Sequence, residues 1–351
     1  MEKKTVRIGF VGVGGMGQSA HLKNYVTVPD CEVAALAEVK PDLAAKVAAK
    51  YGVPKVYTSH EAMLANEKLD ALVASQQFTR HGTLVPELLQ AGIPVFTEKP
   101  LAGTLPMGEK IVEAVNKSGT WMMIGYHKRS DPATMYAKAR IDALKASGEL
   151  GPLKYVRLLM PAGDWVAGGY NDLIRTEESL PGMAWDPVDP GMDKASYKLY
   201  IDFVNYYIHQ VNLMRHLLGE DYSVSYADPT RVQMTVHSAS GVAGVIEMSP
   251  FETTIDWQEE ALVAFERGYV KLTLPAPLAC NRPGSVTLYY DAKRGSTPVQ
   301  SSPQLPWVDA MRQQALNFVH AIQGEETPLC PAEAALKDLE TAREYIMAAT
   351  G

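Results

Sequence analysis

Val6-Arg7-Ile8-Gly9-Phe10-Val11-Gly12-Val13-Gly14-Gly15-Met16-Gly17 decides the fold of this chain. Val6, Ile8 and Phe10 alternate with Arg7 and Gly9, which writes a strand that Val11 completes. The glycines then fall as G-x-G-x-x-G just before a predicted helix. Gly12 permits the tight turn, Gly14 lets a pyrophosphate approach the backbone, and Gly17 lets the helix lie close to its strand. Gly15 and Met16 belong to the same cofactor-facing loop. The helix N-terminus adds free N–H groups and a partial positive charge for the phosphates. A second strand, 33–37, ends at Glu38, 21 residues beyond Gly17. Glu38 would accept hydrogen bonds from the adenosine ribose, and its charge would repel a 2′-phosphate. The expected cofactor is therefore NAD in preference to NADP, although Lys40 works against that discrimination. A strand-end acid is otherwise simply solvated; the combined fingerprint favours the cofactor role.

Working outward, strands and helices alternate through about residue 125. Helical stretches at 41–50, 85–90 and 108–117 separate strand-like runs at 56–57, 69–74, 95–97 and 121–124. This is the βαβ pattern of a doubly wound parallel sheet. Residues 161–200 then carry many Gly, Pro, Trp, Asp and Tyr with little periodicity, and loops this long are usually functional or mobile. A helix near 200–218 precedes strand-like runs at 232–236, 242–248, 260–265 and 270–274. No helical pattern separates them, so an antiparallel sheet is expected. Two helices close the chain. The expected class is α/β: an N-terminal Rossmann domain over 1–125, then an α+β domain with an open, mainly antiparallel sheet over 126–351.

Composition narrows the partners. With 351 residues the chain is long enough for two domains, and 46 % hydrophobic with 21 % charged residues is ordinary for a soluble globular protein. A net charge of −7 argues against a nucleic-acid surface. No apolar run reaches the roughly 18 residues of a membrane helix, and Met1-Glu2-Lys3-Lys4 leads into a strand with no export signal. Cys31, Cys280 and Cys330 are odd in number and far apart, which suggests a reducing cytoplasm with neither a disulfide frame nor a metal site.

Three clusters could carry chemistry. Glu98-Lys99-Pro100 ends a predicted parallel strand, the edge where open α/β sheets bind ligands. A lysine there can stabilise an alkoxide as hydride leaves; a surface lysine before a turn has the same composition. Glu98 beside it is assigned to the cofactor. On the predicted helix near 200–218, Asp202, Asn205, His209, Asn212 and His216 recur at helical spacing. This stripe suits either a cleft face with His209 as proton acceptor or a half-buried polar face. Tyr126-His127-Lys128-Arg129 follows the last parallel strand and reads either as a basic linker or as a seat for an anionic or polyhydroxylated ligand. Arg157, Trp165, Arg175 and Trp185 are further pocket candidates.

Together these pieces resemble the glucose–fructose oxidoreductase / inositol dehydrogenase (Gfo/Idh/MocA) family. The carriers are the N-terminal glycine loop, Glu98-Lys99-Pro100, Gly125-Tyr126-His127-Lys128-Arg129 with Asp131-Pro132, and His209 on a helix ending Leu217-Leu218-Gly219. The resemblance covers essentially the whole chain. It implies that Lys99 and His209 face the nicotinamide, that Lys128, Arg129, Asn205 and Asn212 serve the substrate, and that the chain forms a homo-oligomer, a dimer or tetramer. It also implies a small carbohydrate substrate, anionic ones included.

Two departures stand out. Family dehydrogenases carry Asp four residues before the histidine and three after it, where this chain has Asn205 and Asn212, and 161–200 is long. Asparagine orients an imidazole but supplies no charge, which leaves Lys99 or a tyrosine (Tyr126, Tyr206 or Tyr207) as alternative proton acceptors. The leading expectation is NAD-dependent oxidation of a secondary alcohol of a sugar, sugar acid or cyclitol. The alternative is an NAD-dependent glycosidase that oxidises C3 transiently, eliminates, adds water and re-reduces. A dinucleotide-bound sensor is the third reading.

Overall fold

A computed structural model describes residues 4–291, 295 and 297–350. Contacts divide the chain into two compact units. The first comprises 1–126, 168–193 and 311–339, and the second comprises 127–167, 194–310 and 340–351.

The first unit is built on six parallel strands: β1 (Val6–Val11), β2 (Cys31–Ala37), β3 (Val56–Tyr57), β4 (Ala71–Ala74), β5 (Val95–Glu98) and β6 (Met122–Gly125). Their order is β3-β2-β1-β4-β5-β6, the doubly wound arrangement whose order reverses beside β1. Ile8 and Phe10 of β1 and Leu72 and Val73 of β4 are fully buried, as expected of central strands covered on both faces. Register aligns the strand ends. Val11 lies level with Ala37 and with Ala74, and Ala74 with Thr97. Gly12, Glu38, Ser75 and Glu98 therefore emerge along one carboxyl edge. Phe318 gathers Tyr25, Phe96 and Trp121 at ring separations of 5.6–6.4 Å, which contributes to this unit's core.

The second unit carries an eight-stranded sheet: β7 (Leu153–Ala162), β8 (Tyr222–Ala227), β9 (Gln233–Ser238), β10 (Ala243–Glu252), β11 (Glu260–Phe265), β12 (Gly268–Thr273), β13 (Ser285–Tyr290) and β14 (Val299–Ser301). The order is β14-β13-β12-β11-β7-β10-β9-β8. β7 runs parallel to β10, and the other pairs are antiparallel. Burial alternates along β10 and β11, so one face is covered and the other is half-open. The helix Pro132–Ser147 packs against β12 and β13, and the helix Ile208–Leu218 against β7 and β10.

The single helix expected near 200–218 is two: Lys194–Tyr206 and Ile208–Leu218, broken at Tyr207. The Tyr207 hydroxyl is tied to Ser249 on β10. The break interrupts the polar stripe read from the sequence. Asp202 stays exposed in an ion pair with Lys198, Asn205 is exposed, and His209 and Asn212 are buried. No described helix is long and apolar enough to cross a membrane.

Candidate active site and cofactor cradle

The glycine loop takes the geometry its residues were read to allow. Gly12 has φ +89°, and a Cβ there would stand 2.1 Å from Gln76 Nε2 and 2.6 Å from the Ser75 carbonyl. A Cβ on Gly17 would meet the Gly12 carbonyl at 2.8 Å. Gly14 has nothing within 4 Å of a Cβ, so the loop leaves open space where a pyrophosphate needs backbone access. Beyond the loop the chain winds as a π-helical turn, Gly17–Leu22, into Lys23–Tyr25. Glu38 is buried; its carboxylate accepts the Val13 N–H at 2.9 Å and the Lys40 N–H at 3.2 Å, which joins the glycine loop to the end of β2. Open space above Gly14 and a carboxylate at the β2 end fit a dinucleotide: the loop would hold its phosphates and Glu38 its ribose.

The long aperiodic segment forms a strap on this same unit. Gln18 and Ile174 exchange two hydrogen bonds of 3.1 Å. The Lys50 ammonium donates to the Asp172 carbonyl, the Arg80 guanidinium to the Ala184 carbonyl, and the Gly82 N–H to Asp186. Tyr170 donates to the Met16 sulfur at 3.4 Å and stands beside Gly15. Pro181, Gly182, Met183 and Ala184 wall a cavity of about 310 Å³, whose other sides include Val11, Ala37, Val39, Thr58, Ser59 and Gln76 at the carboxyl edge. Trp185 is half-exposed beneath the Arg80 guanidinium.

Lys99 follows β5 on that edge, half-buried, with a cis peptide to Pro100. Glu98, a cofactor candidate from sequence, has both carboxylate oxygens engaged within the protein. It accepts His21 Nε2–H at 2.7 Å and the Lys99 N–H at 3.1 Å. Burial pushes the Glu98 carboxyl upward, but His21, the Lys99 charge and the Lys99 N–H together hold it below the usual carboxylate range. Glu98 is thus an acceptor only, so the shared hydrogen sits on His21. His81 Nδ1 lies 3.2 Å from both the Pro100 and Leu101 carbonyls and must donate to them, which fixes the turn after Lys99. Tyr126 is buried.

In the second unit His209 is buried near the start of its helix, and its ring meets that of His127 edge-on at 4.6 Å. Glu259 is a hub. It pairs with the Lys128 ammonium and accepts from Gln210 Nε2 at 2.8 Å and from Trp257 Nε1 at 3.3 Å. Lys128 also lies 5.4 Å from the Trp257 ring centre. Burial lowers the Lys128 pKa, against the opposing pull of Glu259. Arg129 Nε donates to Asn212 Oδ1 at 2.6 Å. Both junction cations are therefore buried in fixed partnerships. Arg157 pairs with Glu247 on the sheet at 2.5 Å, and the Trp165 carbonyl receives the Leu278 N–H. Burial raises the Tyr206 and Tyr207 phenols above their ordinary range, so neither supplies a phenolate near neutral pH. Sequence reading missed His21, His81, Glu178, Trp257 and Glu259, because single residues without spacing partners leave no periodic signal.

Comparison with known proteins agrees with this arrangement. Residues 6–126 match the Gfo/Idh/MocA description, an oxidoreductase family with an NAD-binding Rossmann fold. The chain is 27 % identical to a scyllo-inositol 2-dehydrogenase (NAD(+)) of Bacillus subtilis strain 168, over 70 % of this chain and 67 % of that protein. It is 23 % identical to a myo-inositol 2-dehydrogenase of Thermotoga maritima, over 69 % of this chain and 63 % of that one. The chain thus spans about two thirds of the length of these relatives. In fold it is similar to an apo scyllo-inositol dehydrogenase from Lactobacillus casei, with TM-score 0.69, 17 % identity, and 99 % and 97 % of the two chains covered. Residues 6–126 thus carry the NAD-binding Rossmann fold of the Gfo/Idh/MocA oxidoreductase family.

Proposed function

We propose that this protein is an NAD-dependent dehydrogenase that oxidises a secondary alcohol of a sugar, sugar acid or cyclitol. The observation that carries the reading is the shared carboxyl edge, along which the open glycine loop after β1, Glu38 after β2 and Lys99 after β5 emerge. Bound NAD supplies the hydride acceptor. Lys99 stabilises the negative charge that develops on the reacting oxygen. His209 accepts the proton, a role supported by its burial beside His127 and by the raised phenols of Tyr206 and Tyr207. Lys128 and Arg129 act by fixing Glu259 and Asn212 around the substrate. The names of the inositol-dehydrogenase relatives favour a cyclitol or monosaccharide. The half-open sheet face, with Leu159, Val245 and Leu262 partly exposed, is the surface a second copy would cover in a homo-oligomer.

A second reading, redox-neutral glycoside cleavage, is favoured by the strap, because an enclosed cofactor suits an enzyme that keeps it through turnover. One experiment tests both. A panel of inositols, free sugars, sugar acids and aryl glycosides is followed for NADH formation and for released aglycone, with Lys99→Met alongside. NADH accumulation abolished by Lys99→Met supports the dehydrogenase. Aglycone release without NADH supports the glycosidase. Activity untouched in Lys99→Met overturns both.

A further inference from the structure

Glu178 lies in the strap, far in sequence from the strand that reads the adenosine ribose, yet its carboxylate sits at the helix entry that follows that strand. The helix Pro41–Tyr51 begins three residues past Glu38. In dinucleotide folds a 2′-phosphate lodges by this turn and needs N–H groups or cations from it. Donors there are few. Pro41 has no N–H, and the Ala44 N–H closes the first helical bond onto the Lys40 carbonyl at 2.9 Å. The N–H groups of Lys40, Asp42 and Leu43 remain. Lys40 N–H is taken by Glu38 at 3.2 Å. Asp42 N–H and Leu43 N–H are taken by the two oxygens of Glu178, each at 3.0 Å. The Thr176 hydroxyl donates to the same carboxylate at 2.9 Å. The Asp42 N–H, with Leu43 N–H, Thr176 and the Lys40 charge, keeps the Glu178 carboxyl below its usual range, so it is ionised near neutral pH.

We propose that Glu178 is a specificity-determining residue for the cofactor: a resident anion that fills the 2′-phosphate position and, with Glu38, excludes NADP. This rests on the reading that the first unit binds a pyridine dinucleotide. A phosphate arriving at this helix entry meets two carboxylates and finds the Lys40, Asp42 and Leu43 N–H groups already used. Independently of those bonds, the 310 Å³ cavity at the carboxyl edge is walled by Ala37 and Val39 on one side and by the strap residues Pro181 to Ala184 on another, so Glu178 lies on the same segment that bounds a ligand-sized space. With Glu178 truncated, the freed Asp42 and Leu43 N–H groups and the Lys40 ammonium become an anion seat.

The test is calorimetric titration of the full chain with NAD⁺ and NADP⁺. Wild type binds NAD⁺ more tightly. Glu178→Ala gains roughly tenfold or more in NADP⁺ affinity, while NAD⁺ changes by less than about threefold. Lys50→Ala, which cuts the strap's tie to the Asp172 carbonyl and leaves Glu178 in place, keeps the wild-type ratio. Unchanged NADP⁺ affinity in Glu178→Ala, an equal gain in Lys50→Ala, or a wild type that prefers NADP⁺ overturns the inference while the dinucleotide reading stands. A wild type that binds neither nucleotide removes that reading and the inference with it.

Discussion

Glu98 accepts the Nε2–H of His21 at 2.7 Å with one oxygen and the Lys99 main-chain N–H at 3.1 Å with the other. A buried, ionised carboxylate thus ties the main chain of the candidate catalytic lysine to a histidine whose ring contacts Phe96 in the core. Removing the charge weakens both bonds. Glu98→Gln is expected to cost about 2 kcal/mol in urea unfolding, within the range for hydrogen bonds to charged groups. Because its folded pKa is depressed, Glu98 contributes stability above the normal carboxylate range and loses it as pH falls through the folded value. The variant should therefore lose part of the acid-side decline in stability, and turnover should fall with it. Equal acid sensitivity in variant and wild type would show that the pair contributes nothing.

Two glycines of one loop should respond in opposite ways. Gly14→Ala places its methyl in open space, so melting is expected to shift little while dinucleotide affinity drops at least roughly tenfold. Gly12→Ala forces an L side chain to φ +89° against the Ser75 carbonyl, and should destabilise by about 1–3 kcal/mol or more. Thermal melts with calorimetric titrations separate the cases. Tight binding retained by Gly14→Ala would remove the pyrophosphate from that loop.

His81 supplies a pH dependence with a definite sign. Burial lowers its folded pKa from 6.5, against the upward pull of the Leu101 and Pro100 carbonyls. Below about pH 6.5 the unfolded chain therefore binds more protons than the folded one, and stability falls as pH falls. Unfolding midpoints measured between about pH 7 and pH 5 should decline, and His81→Gln should flatten that decline. A steeper decline in the variant would contradict the assignment.

Asp131 works in the reverse sense. It caps the helix Pro132–Ser147 through the Ala133 N–H at 2.8 Å and also accepts the Gly284 N–H at 3.0 Å, yet burial raises its carboxyl from 3.8 to about 6. The folded chain keeps a proton that the unfolded chain sheds, so stability contributed at low pH is lost as pH rises from 3.8 through about 6. The full difference is on the order of 3 kcal/mol. Asp131→Asn keeps an amide oxygen for the cap and removes the ionisation. Its stability relative to wild type should improve from about pH 4 to about pH 7; a constant offset across that range would refute the shift.

The first unit was largely legible because its signals are local. Alternating Val6, Ile8 and Phe10, the glycine spacing and Glu38 each act through their own neighbours or the next strand. The second sheet was read in outline, but β7, β8, β13 and β14 escaped. The helix break at Tyr207 was hidden because its tether, Ser249, lies 42 residues away. Lys128 and Arg129 read as a basic linker or an anion seat because charge does not reveal burial; only the fold brings Glu259 and Asn212 to them. The strap shows no period because its shape is dictated by ties such as Glu178 to Asp42, 136 residues apart. Local propensity has nothing to say about such pairs.

The strap would also set a clock for a bound dinucleotide. The segment that walls the cavity at Met183 and Ala184 is held at Gln18, Lys50, Arg80 and Gly82. In the proposed dinucleotide complex, departure would wait on local opening of that segment. Exchange with free coenzyme would be governed by the lifetime of a few hydrogen bonds, and loosening any one of them would speed release without touching the reacting atoms.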